Sequence, residues 1–160
     1  MRNARLLIAA VSLVACAKNE AAKTDTAAPA AAAAAPAPTV VTAADINGKT
    51  VNGQAMAEKS DSVLFKFTCT TAATGNVSMC VNLSAPKDTT AYTFTLSGAD
   101  SVMWTSAAYA PPAPPKSPKV IDHVVGRLSG GKWTGTTVTV LASKPDSVVA
   151  RGRWEATNAP

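Results

Sequence analysis

The chain has 160 residues, 47% of them hydrophobic but only 5% aromatic and 16% charged, and its formal net charge is +5. That length suits one small domain with appendages. No block of basic residues is interleaved with aromatics, which argues against a nucleic-acid-binding protein. The acidic side chains are scattered one at a time, which sets up neither a glycosidase carboxylate pair nor a calcium loop.

The first element is an apolar run from Leu6 to Val14, preceded by Arg2 and Arg5 and closed by Leu13-Val14-Ala15-Cys16. A basic start, a short apolar stretch and small residues before a cut are the parts of an export signal. The run is roughly half of the ~20 residues needed to span a bilayer. Its closing tetrad resembles the lipobox of bacterial lipoproteins. The resemblance covers residues 1–16 and implies cleavage before Cys16, a diacylglyceryl group on the Cys16 thiol and a further fatty acyl chain such as palmitate on the new amino terminus. It also implies a lipid-anchored protein of the bacterial cell envelope. Ala17 follows Cys16 where aspartate resembles an inner-membrane retention signal, and so favours the outer membrane, facing the periplasm. Loss of Arg2 and Arg5 with the leader leaves thirteen basic against ten acidic side chains, a net charge of +3.

Residues 17–38 are dominated by alanine and interrupted by Pro29, Pro36 and Pro38. The six alanines Ala30 to Ala35 favour helix by propensity, but so short a run between prolines does not repay nucleation. This stretch reads as a disordered tether reaching roughly 70 Å if extended. Such a reach brings a folded domain to an envelope protein or to the peptidoglycan.

From residue 39 to 160 the pattern is strand. Short alternating runs rich in Val and Thr are separated by Gly, Pro, Asp, Asn and Ser, with no sustained helical repeat. Eight strands are predicted, over residues 49–52, 63–70, 77–84, 91–97, 101–105, 120–128, 136–141 and 148–156. The fold class is therefore all-β, a small antiparallel sandwich or barrel. Val148, Ala150, Gly152, Trp154 and Ala156 share one face and are expected in the core, as are Tyr92, Phe94 and Leu96. Asp-Ser-Val occurs at Asp61, Asp100 and Asp146, each time at the predicted start of a strand, which reads as shared turn chemistry. Residues 110–118 hold five prolines and form an exposed polyproline-like loop. Within it Pro111, Pro114 and Lys116 fit a PxxPxK pattern, and a stiff crossover is the plainer reading.

With Cys16 assigned to lipid, Cys69 and Cys80 remain as one pair, and an oxidising compartment joins them. A turn centred between Thr74 and Gly75 sets them opposite each other. Yet Cys69 alternates in phase with Val63, Phe65 and Phe67, while Cys80 is out of phase with Val77, Met79, Val81 and Leu83. That conflict calls for a bulge or a longer turn. Trp133 is likewise out of phase with Val138 and Val140, and a bulge at Gly135 would restore the register. Trp104, Trp133 and Trp154 are all expected in the core.

Gly126 to Lys132 matches the spacing GxxxxGK, but Trp133 stands where Ser or Thr would hold magnesium and a strand follows in place of a helix. The glycine pair reads as a hairpin turn. His123 is the lone histidine, Asp122 beside it points to the opposite face of a strand, and no GxSxG elbow is present. Two cysteines and one histidine make a poor metal set. The expectation is a lipid-anchored binding or structural module with no catalytic residues, no cofactor and no metal. The alternatives are a carrier of a small apolar ligand, similar in shape to lipocalins, and a hydrolase acting through His123. A deep apolar cavity would favour the carrier.

Overall fold

The computed structural model describes residues 40–112 and 117–160. Cys16, the lipobox and the tether lie outside the described residues, as does the middle of the proline-rich loop with Pro114 and Lys116. Among the described residues, eight strands follow one 3-10 turn at Ala43–Asp45. They are β1 (Thr50–Ala57), β2 (Val63–Thr71), β3 (Val77–Asn82), β4 (Thr89–Ser97), β5 (Ser101–Ser106), β6 (Val120–Ser129), β7 (Lys132–Leu141) and β8 (Lys144–Asn158). Each pairs antiparallel with its neighbour in the chain, and β1 pairs with β8 to close a barrel. Of the two all-β architectures left open by the sequence, the barrel is the one formed. Closure leaves no unpaired sheet edge around the wall.

Strand alternation decides what enters the barrel. The inward set is built around Phe94, Val102, Trp133, Trp154 and Ala156, with Phe67, Trp104, Val124 and Leu128 packed against it. One end is floored by the segment before β1. There Val41 and Ile46 are buried, the Val41 amide donates to the Ala99 carbonyl at 2.8 Å, and the Gly48 amide donates to Ala72 at 3.1 Å. Asp45 fixes this turn by accepting from both the amide and the hydroxyl of Thr42, each at 2.8 Å. The hairpins β1–β2, β3–β4 and β5–β6 sit at the other end.

Cys69 and Cys80 form a disulfide between directly paired positions of β2 and β3, with Cα atoms 4.0 Å apart. Neither a bulge nor a longer turn resolves the conflict in phase. The register is unbroken, and the apolar set of β3 lies on the outside, with Val77 41% and Met79 45% exposed. Ser78, Cys80 and Asn82 face in. The covalent pair outweighs the usual preference for burying the apolar face. Closing a loop of this length contributes roughly 3 kcal/mol by loop-closure entropy. A bulge occurs instead where β1 meets β2, between Ala55 and Met56, pairing Met56 with Val63 and taking Val63 out of phase with Phe65.

The expected bulge at Gly135 is also absent. Pairing of β6 with β7 runs unbroken from Val120↔Leu141 to Ser129↔Lys132, so Trp133 faces in and Val138 faces out. The glycine is needed for space. A Cβ on Gly126 would lie 2.5 Å from Trp154 Cζ2, and one on Gly135 would lie 2.6 Å from Trp154 Nε1. The Trp154 indole lies across both glycines and donates to the Val125 carbonyl at 3.2 Å. Gly130 and Gly131, with φ of 56° and 77°, make the two-residue β6–β7 turn, as expected of a primed hairpin.

Three inward assignments change. In β8 only the half from Gly152 onward pairs with β1. Val148 and Ala150 are exposed because their stretch pairs with β7 alone. Leu96, one residue from the end of β4, is exposed as well. Asp100 directly precedes β5 and Asp61 lies two residues before the start of β2, whereas Asp146 lies inside β8.

Candidate functional site

The barrel interior is not filled. It holds a cavity of about 370 Å³, within the range of small-molecule sites. Five rings line it in sequence: Phe65 and Phe67 with centroids 6.5 Å apart, Phe67 and Trp154 at 6.3 Å, Trp154 and Trp104 at 5.8 Å, and Trp104 and Trp133 at 5.6 Å. The last three contacts are edge-on, the arrangement favoured by ring quadrupoles. The disulfide cysteines Cys69 and Cys80 also line the cavity. Each tryptophan therefore has two roles, since Trp133 and Trp154 are buried in the core and all three also line the cavity.

One charged group is set into this apolar wall. On β6 the inward series runs Val120, Asp122, Val124, Gly126, Leu128, and the Asp122 side is only 6% exposed. Its Oδ2 accepts from Tyr92 Oη at 2.9 Å and from Tyr109 Oη at 2.8 Å. Its Oδ1 accepts from Thr139 Oγ1 at 2.6 Å, and its amide donates to Ser106 Oγ at 2.8 Å. Tyr92 comes from β4 and Thr139 from β7. Tyr109 lies beyond β5 and is brought back by a two-bond bridge with Val120. Burial pushes both phenols far above the ordinary tyrosine range, and the negative charge of Asp122 pushes them further. The hydroxyls thus stay protonated and donate to the carboxylate.

The proline-rich loop begins at this bridge. Ala110, Pro111 and Pro112 line the mouth of the cavity, and Ala110 and Pro112 are exposed, as expected of this loop. Asp88, from the β3–β4 connection, lines the same opening.

No known protein family, no curated protein and no solved structure matches the chain. The geometry of the interior is accordingly the ground for a functional reading. His123 is exposed on the outer face, with Thr105 Oγ1 at 3.5 Å from Nδ1, while the Asp122 carboxylate is inside. The wall of the barrel separates the two. Among the described residues no group of three metal-ligating side chains occurs.

Sequence reasoning named Asp122 only as an ill-placed partner of His123 and missed its role as the polar centre of the interior. The signal was present: an aspartate in phase with Val120, Val124 and Leu128 in a strand is a charge on a core face. Tyr92 was expected inside, but Tyr109, which reaches Asp122 only through the fold of the loop, left no periodic trace.

Proposed function

We propose that this chain is a non-catalytic binding module of the bacterial envelope, held to the membrane by lipid on Cys16, and that its barrel carries a small, largely apolar ligand. The observation that carries the reading is the aromatic-lined cavity within a closed barrel. Eight strands enclose a space that side chains can fill or that can hold one small ligand, and here the small residues Ala55 and Thr137 stand at the wall where larger side chains would fill it. An extended tether over residues 17–38, as the sequence suggests, would support a role at a distance from the lipid surface, among molecules of the envelope or the peptidoglycan. Titration of the full chain with the uncharged fluorescent probe N-phenyl-1-naphthylamine tests the carrier role. Saturable one-to-one binding, with energy transfer from the wall tryptophans, is expected. Absence of saturation would leave a structural module in its place.

A further inference from the structure

We propose that the ligand is an organic cation, an apolar or aromatic body bearing one protonated amine that docks on Asp122. This rests on the carrier reading and narrows it to a chemical class. A carboxylate buried to the extent of Asp122 is ordinarily paired with a cation. Among the described residues no Lys, Arg or His nitrogen lies within ion-pair distance of it. Its partners are three neutral hydroxyls.

Those hydroxyls leave room for a donor. An ionised carboxylate offers about four acceptor positions, of which Oδ2 uses two and Oδ1 one. The position not taken is on Oδ1, and the two phenol oxygens bonded to Oδ2 retain lone pairs of their own. An ammonium group brings three N–H donors, and charge-assisted bonds to a carboxylate are among the strongest available.

The surroundings agree with the same class. Val124, the next inward residue on β6, is paired with Trp104, so the indole wall begins one inward step from the carboxylate. Aromatic faces attract cations as well as apolar bodies. The charged residues lining the cavity are Asp45, Asp88, Asp122 and Lys49. Lys49 immediately precedes β1 at the floored end, and Asp88 lies at the mouth. A fatty acid or other anion would enter past Asp88 and meet the buried Asp122 carboxylate, and among the described lining residues the one cation, Lys49, lies away from the mouth at the floored end.

Isothermal titration of the full chain with three ligands of matched shape tests the inference: tryptamine, the neutral alcohol tryptophol and the anion indole-3-acetate. Tryptamine is expected to bind at least tenfold more tightly than tryptophol, a difference of about 1.4 kcal/mol, and indole-3-acetate is expected to bind most weakly. Asp122→Asn should erase the preference for tryptamine while leaving tryptophol binding in place. The wild-type comparison decides the matter even if that variant fails to fold. If N-phenyl-1-naphthylamine binds and tryptamine shows no advantage over tryptophol, the amine inference is overturned and the carrier reading stands. If neither the naphthylamine probe nor any indole binds, both fall.

Discussion

Substitution of Gly135 by alanine probes the packing that shapes the interior. The added Cβ would fall on the Val125 carbonyl oxygen and lie 2.6 Å from Trp154 Nε1 and 2.9 Å from the Gly126 Cα. Two of these neighbours are backbone atoms of a paired strand and cannot swing aside. Relief requires Trp154 to leave its place across the two glycines and to give up its bond to Val125. Overpacking of this kind costs about 1–3 kcal/mol, and the lost hydrogen bond adds about 1 kcal/mol. The expected total is about 3 kcal/mol, or a fall in Tm of roughly 10–15 °C for a domain of this size. The control is Gly75→Ala in the β2–β3 turn, where an added Cβ meets nothing within 4 Å but φ is +90°. That change should cost about 1 kcal/mol from backbone strain alone. Urea unfolding followed by tryptophan fluorescence measures both. If Gly135→Ala costs no more than Gly75→Ala, the account of the tryptophan wall is refuted.

Three further outcomes are expected. The chain's two tyrosines are both donors to Asp122, and their folded pKa values lie above the unfolded value near 10. Stability is therefore fully present below about pH 10 and is lost as pH rises above it, because the unfolded chain releases these protons first. Absorbance at 295 nm should show tyrosinate appearing together with unfolding, and a plain titration near pH 10 in the folded protein would contradict this. Replacing both Cys69 and Cys80 by serine should lower stability by about 3 kcal/mol in the same urea assay, whereas an unchanged midpoint would deny the disulfide its share. Cys16→Ser should abolish labelling by radioactive palmitate and move the protein out of the membrane fraction, and persistent labelling would overturn the lipid anchor.

The eight-strand, all-β pattern was legible because alternation and turn chemistry are local, whereas the choice of barrel over sandwich depends on the pairing of β1 with β8 and was not. The runs ending at Gly130-Gly131 and at Asp100 have their boundaries written into adjacent residues. Phase was misread where a pairwise requirement outweighed hydrophobic alternation. At Cys80 a covalent bond turns Val77 and Met79 to the outside. At Gly135 the demand is for space, imposed by an indole nineteen residues later in the chain, and the missing side chain resembles a bulge when only its neighbours are considered. The site was less legible still. Asp122 is anomalous within its own strand, but its three donors come from β4, β7 and the loop after β5, and only barrel closure brings them together. The cavity is a property of how eight inward faces fail to meet, which no single segment encodes.

The carrier role is tested most directly by filling the interior. Ala55 lines the cavity and is paired with Phe65 on one side and Trp154 on the other. Ala55→Trp places a large ring between them at the cavity wall. Titration of wild type and variant with N-phenyl-1-naphthylamine, with circular dichroism to confirm an unchanged β-sheet spectrum, should show saturable binding by the wild type and a loss of at least tenfold in the variant. Equal binding by the two folded proteins would mean that the probe sits elsewhere, and would contradict the assignment of the barrel interior as the binding site.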